Sequence, residues 1–266
     1  MKLRRPIRLK SGTGHTLLEL VIAVALGLVV AAGAVAAYRS QVQAFRLATD
    51  AARIHEAGMN ALTLLGEQIQ IAGFSPADVP QSLSGSAVFG CAGGRPTGAD
   101  TSLTCKSLSG RSDGIAVRYV GDTVSTWPST GGLVTDCLGQ AVGATGVNVV
   151  NRYHAKASGS TGEPELYCEG SGNVGTAQPL VEGVELLRLR YWPANATQSV
   201  DASVLAGEQW SSVVAVDLCV QVRGAPFPRS VSYVDCDGAS KAATDGRMRQ
   251  TFWRHITLRN QQGESS

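Results

Sequence analysis

Apolar residues fall along this chain in two rhythms. From Leu17 to Ala37 they are nearly continuous, and Glu19 is the sole charge. About 20 such residues are enough to cross a bilayer as a helix. Polar residues return at Arg39, and Val42, Phe45, Met59, Leu62, Leu65 and Ile69 then recur at spacings that share one helical face. No proline intervenes before Pro76, and Gly73 ahead of it makes a stop signal. The pattern predicts one helix from His15 to about Ile71, roughly 85 Å long at 1.5 Å per residue. Its first half suits an apolar surrounding, and its second half should lay an apolar face on a folded domain.

Beyond Pro76 the period changes to two. The runs at 113–120, 146–155, 165–169, 183–192, 212–222 and 249–259 mostly alternate apolar with polar residues, as half-buried antiparallel strands do. Residues 75–113 are rich in Gly, Ser and Pro and read as a long irregular region. The expected fold class is α+β, a long N-terminal helix packed on a mostly antiparallel sheet. Residues 74–266 suffice for one domain with its own core. No internal repeat is evident.

Charge then reshapes the picture of the N-terminus. Residues 1–14 carry Lys2, Arg4, Arg5, Arg8 and Lys10 and no acid. They have no apolar core of their own, so they do not read as an ordinary secretory signal, whose apolar run precedes the cut. Here the apolar run follows Gly14 and would be kept. The basic side predicts a cytoplasmic N-terminus and an exported C-terminal domain. Without the leader, 18 of the 23 basic residues face 21 acidic ones, a net charge of −3. That balance argues against a nucleic-acid binder, which normally shows a basic face.

Glu19 is the anomaly of the apolar segment. A carboxylate in a membrane helix costs about 2.5–3.5 kcal/mol on insertion scales and usually faces a partner. A cut after Gly14 would create that partner, because the new amine of His15 lies one helical turn away. The same carboxylate could take the amine of a neighbouring copy and so set an axial register. A plain single-span anchor with a stray interfacial Glu is the simpler reading.

GHTLLELVIAVALGL resembles the class III signal of type IV pilins and pseudopilins. The resemblance implies cleavage between Gly14 and His15 by prepilin peptidase, N-methylation of residue 15 and an assembly role for Glu19. The family usually has Phe at the first mature position, where this chain has His15. The succession IQIAGF, FGCAG, SDGIAVRYV, DCLGQ, LYCEG, QPLVEGVELLRLRYW and GRMRQTFWRHITLRN is further similar to the PilW family of minor pilins, itself related to the J-type pseudopilins of type II secretion. That resemblance implies a leader at 1–14, a helix at 15–73 with a membrane span at 17–37, and a periplasmic domain at 74–266. It also implies a non-enzymatic role in priming or capping a pilus. The implied partners are other minor pilins, the major pilin, prepilin peptidase, the inner membrane and a large tip adhesin. Two alternatives share much of this pattern: a J-type pseudopilin, and a membrane-anchored binding module that never polymerises.

Cys91, Cys105, Cys137, Cys168, Cys219 and Cys236 are even in number, contain no CxxC and lie on the exported side. A disulfide framework fits better than metal or redox chemistry. Of the fifteen connectivities, sequential pairing is preferred because each bridge closes a modest loop.

The remaining motifs have plainer readings. P-loop, HExxH and GxSxG are absent, and His15, His55, His154 and His255 are scattered. Asp235, Asp237 and Gly238 form a DxDG fragment with no later Glu, which reads as a turn beside Cys236 rather than a calcium loop. The Asn195-Ala196-Thr197 sequon reads as a surface loop. Arg247, Arg249, Arg254 and Arg259 make the last strand basic, and Trp127, Trp192, Trp210 and Trp253 read as packing or interface residues. No cofactor or metal is expected.

Overall fold

The structure is a computed structural model that describes residues 14–79, 83–226 and 231–260. Helix α1 runs from Leu17 to Ile71 without a break. The chain divides into two units, one ending at Thr49 and the other beginning at Asp50. The division falls inside α1, so its last turns belong with the β-structure rather than with the apolar segment.

In the first unit α1 shows its apolar side chains to its surroundings. Leu17, Leu18, Leu20 and Val30 are each more than 60% exposed, as expected of a segment whose cover lies outside the chain. By length and composition this stretch can cross a membrane.

In the second unit α1 buries Ile54, Gly58, Ala61, Leu62, Leu65, Gly66 and Ile69. These positions repeat every three or four residues and form one stripe. The face expected from sequence was partly misplaced. Leu62, Leu65 and Ile69 lie inside, but Met59 is 45% exposed. Gly58, one residue away, takes the inward place because the Phe252 ring packs directly over it. Phe45 falls in the first unit and is exposed. At the C-terminus of α1, Gly73 turns the chain with φ 78°. The Asn260 side-chain amide donates to the carbonyls of Gln70, Ile71 and Ala72 at 3.2–3.4 Å. This meets the need of helix-end carbonyls for outside partners.

Fifteen strands follow among the described residues. They are β1 (Val88–Cys91), β2 (Gly94–Ala99), β3 (Ser102–Ser107), β4 (Gly114–Val120), β5 (Val134–Thr135), β6 (Ala141–Gly143), β7 (Asn148–Ala157) and β8 (Pro164–Gly170). Then come β9 (Gln178–Glu182), β10 (Val184–Pro193), β11 (Val200–Asp201), β12 (Val213–Pro226), β13 (Val231–Val234), β14 (Ser240–Ala243) and β15 (Arg247–Thr257). The sheet expected from sequence is two sheets, a five-stranded one ordered β1-β4-β7-β8-β9 and a four-stranded one ordered β11-β10-β12-β15. Every pairing is antiparallel.

The two sheets and the end of α1 close over one apolar core. Ile54, Leu65 and Ile69 of the helix meet Val117, Tyr153 and Leu166 of the first sheet and Leu187, Leu189, Leu218 and Ile256 of the second. The sheets join where β4 begins. The Asp113 carboxylate accepts the Gly93 and Leu189 N–H groups at 2.8 and 2.9 Å, and Arg188 pairs with it at 3.1 Å.

The region 75–113, expected to be irregular, holds β1, β2 and β3. The hairpin β2–β3 shows few apolar positions because it lies on the outer face of the five-stranded sheet. It covers Arg152 there, which is fully buried and donates to Gly98 O and Asp100. Two more hairpins, β5–β6 and β13–β14, complete the fold.

Candidate functional site

The segment singled out by the sequence opens α1. Gly14 is the first described residue, and residues 1–13 of the expected leader lie outside the described residues. Thr16 sits just before the helix and Glu19 is the third residue within it. The Thr16 N–H donates to Glu19 Oε2 at 2.9 Å, and the Glu19 N–H donates to Thr16 Oγ1 at 3.3 Å. This is a reciprocal capping box, which satisfies two of the otherwise free N–H groups of the first turn. A negative side chain there also complements the positive end of the helix dipole. His15 Nδ1 stands 3.8 Å from Glu19 Oε2.

Sequence reasoning paired Glu19 with the amine of residue 15, in its own chain or a neighbour's, and overlooked its part in capping the helix. The signal was present as T-x-x-E directly ahead of the apolar run. Within a single chain the carboxylate is not idle, because it holds the helix start. An amine from another chain would compete with the Thr16 N–H for the same oxygens. Glu19 and His15 are both exposed, so the site is open to such a partner.

The six cysteines form three bridges, Cys91–Cys105, Cys137–Cys168 and Cys219–Cys236, and no cysteine is free. Each bridge fastens one two-stranded hairpin to one sheet. Cys105 of β3 is tied to β1, Cys137 of the β5–β6 turn to β8, and Cys236 of the β13–β14 turn to β12. The loops closed span 14, 31 and 17 residues. In a chain-entropy picture each stabilises the fold by about 3–4 kcal/mol.

The DxDG fragment is a turn. Asp235 Oδ1 accepts the Asp237 and Ala239 N–H groups at 3.0 and 2.8 Å, and Lys241 and Arg188 pair with Asp235 and Asp237. Among the described residues no group of three or more His, Cys, Asp or Glu side chains is placed to hold a metal. Asn195 sits in an exposed turn with φ 63°. His255 Nδ1 lies 2.6 Å from Asp217 Oδ1, and the Trp192 indole donates to Asp217 Oδ2 at 2.7 Å.

The basic residues of the last strand are largely committed within the domain. Arg247 pairs with Glu163, which also holds Arg223, while Arg223 and Arg249 share Glu185 and Arg249 reaches Asp245. This chain of charges joins the β7–β8 loop to the four-stranded sheet. The Arg247 and Arg223 guanidiniums hold the Glu163 carboxyl below its ordinary value. Hydrogen bonds from Arg249 do the same to Asp245. Arg254 packs inward beside Gly66 and donates to Leu62 O at 3.4 Å.

His154, on β7, is buried and stacks on Tyr167 at 5.8 Å. Neither of its ring nitrogens has a hydrogen-bond partner. Burial, with Arg95 and Lys156 nearby, pushes its pKa down to about 3, so it is neutral at ordinary pH.

Comparison with known proteins gave the following. A type IV-like pilin from Thermus thermophilus aligns in three dimensions at a TM-score of 0.45 and 14% identity, over 79% of this chain and 97% of that one. No curated protein sequence matches. The family model for the Type IV Pilus-assembly protein W matches residues 152–260. That stretch runs from within β7 to the end of the described chain, and it takes in β10, β12 and β15, the long strands of the second sheet. Residues 152–260, some two fifths of the chain, are therefore similar to the PilW family of type IV pilus-assembly proteins.

Proposed function

We propose that this chain is a minor pilin, a structural and non-enzymatic subunit that primes or caps a type IV pilus as part of a tip complex. The match of residues 152–260 to the type IV pilus-assembly family carries the reading, and the exposed apolar opening of α1 supports it. In this reading prepilin peptidase cuts after Gly14. Residues 17–37 hold the subunit in the inner membrane with its β-domain in the periplasm. In the filament Glu19 leaves its own Thr16 N–H and takes the amine of residue 15 of a neighbouring subunit. Other minor pilins and the major pilin are the neighbours.

The test is incorporation. Wild-type chain and Glu19→Ala are expressed in cells lacking the native copy, pili are sheared off, and both fractions are blotted. The expected result is wild type in the sheared fraction and at least ~10-fold less of the variant, with equal amounts of both in the membrane. An unpaired buried charge explains the size of that loss. Equal incorporation of Glu19→Ala would refute the assembly role. Absence of the wild type from the sheared fraction would refute the pilus reading and leave a J-type pseudopilin or a membrane-anchored binding module.

A further inference from the structure

The loop between β4 and β5 holds two apolar side chains in the open. Val124 and Trp127 are each 91% exposed. Yet the loop is well fixed. Asp122 Oδ1 accepts the Val124 N–H at 3.0 Å and the Ser125 N–H at 2.5 Å. Thr126 Oγ1 donates to Asp122 O at 2.8 Å, and the buried Thr135 hydroxyl donates to Trp127 O. Ser129 and Leu133 close a second small turn through their backbones at 2.9 Å. A rigid loop that presents an indole has already met the ordering cost of binding, and tryptophan is among the residues that dominate interface energies.

The loop also has a defined place. It follows Val120, whose N–H donates to Phe74 O at 2.8 Å. It therefore lies at the C-terminal end of α1, far along the chain from the apolar segment. Its charge narrows the partner. Between Arg118 and Arg152 the only charged residues are Asp122 and Asp136. The first is engaged by its own loop. The second is buried and accepts N–H groups from Leu138, Gln140 and Gly172. The loop itself carries none of the lysines and arginines by which proteins hold anionic lipid or nucleic acid. On a second copy, the groove beside α1 is a poor receptor for an indole. The groove that flanks α1 near Ile54 has an apolar floor, but Asp50, Arg53, Glu56, Glu163, Glu182 and Arg247 line it.

We propose that Val124 and Trp127 are an anchor for a different protein of the pilus, which packs on the α1 C-terminal end of the domain and takes the indole into an uncharged apolar pocket. The inference rests on the pilus reading above and names the chemistry of one of its contacts.

The test places the photo-crosslinker p-benzoylphenylalanine at position 127 of the full chain in piliated cells. After confirmation that this chain is in the sheared pili, the cells are irradiated and adduct peptides are sequenced. The expected result is an adduct to a pilus component other than this chain, through a peptide rich in apolar uncharged residues. Binding of that component to the full chain in detergent should weaken at least ~10-fold in Trp127→Ser and be largely kept in Trp127→Phe. Thermal midpoints unchanged from wild type would exclude misfolding of either variant. Adducts to lipid, adducts to a second copy, or no adduct from pilus-borne chain would each overturn the anchor while leaving the pilus reading intact. Absence of the chain from the sheared pili before irradiation would instead sink the pilus reading, and the anchor with it.

Discussion

Lowering the pH should destabilise the β-domain through one side chain, His154. It is buried, unpartnered at both ring nitrogens and near Arg95 and Lys156, with its pKa pushed down to about 3. In the unfolded chain it returns to about 6.5. The folded state thus resists a proton that the unfolded state accepts, and stability falls wherever the unfolded state binds more protons. The penalty is absent above about pH 6.5 and grows as the pH drops toward 3. At pH 5 it comes to about 2 kcal/mol, from one proton over roughly 1.5 pH units at 1.36 kcal/mol each. His154→Phe keeps the stack on Tyr167 and cannot take up the proton. Urea unfolding of the full chain in detergent micelles, followed by tryptophan fluorescence at pH 7, 6 and 5, measures the difference. Wild type should lose about 2 kcal/mol more than the variant between pH 7 and 5. Carboxylates act equally on both and cancel. Parallel pH profiles, agreeing within about 0.5 kcal/mol, would refute the reasoning, as would a histidine resonance of folded wild type assigned to His154 that titrates near pH 6.5.

Gly58→Val should cost about 2–3 kcal/mol, because any Cβ there runs into the Phe252 ring and overpacking a full core strains it; thermal unfolding reads it, and Gly27→Val, where nothing lies within reach, is the neutral comparison for packing. Replacing Cys219 and Cys236 together by serine should remove about 3 kcal/mol and expose the β13–β14 hairpin to limited proteolysis ahead of the rest. Glu163→Gln should loosen the link between the β7–β8 loop and the four-stranded sheet by about 1 kcal/mol or less, since the carboxylate is half exposed and water screens it. Because the folded Glu163 pKa is depressed, its contribution is present above the ordinary carboxylate pKa and fades as the pH falls below it, so wild type and Glu163→Gln should converge in acid denaturation curves.

What could be read in advance follows from how local the cause is. The helix was legible because its stop, Gly73 before Pro76, and its inner residues Leu62, Leu65 and Ile69 are encoded within a few turns. The error at Met59 came from ranking residues by apolarity alone. Gly58 is inside because of Phe252, nearly two hundred residues later, and no local pattern carries that. The long strands β4, β7, β10, β12 and β15 were legible through alternation. The hairpin β2–β3 was not, because its residues are mostly exposed and its position depends on a bridge to Cys91 and on Arg152 beneath it. Nor could alternation reveal that two sheets share one core, since inner faces of one sheet or two look alike in sequence. At the helix start the reverse held: Thr16 and Glu19 carry a complete local signal, and the attention given to pairing Glu19 with an amine obscured it.

The three bridges have a consequence for how the protein is made. Their loops do not interleave or nest, as each cysteine is joined to the next one along the chain. In the proposed topology, a chain that crosses the membrane behind its retained N-terminal segment presents Cys91 and then Cys105 before any other thiol emerges, and the second and third pairs follow in turn. An oxidant that joins thiols simply in order of arrival would therefore produce the native set at the first attempt. On that route, maturation of this domain needs a donor of oxidising equivalents, and in-order pairing needs no later reshuffling of bridges.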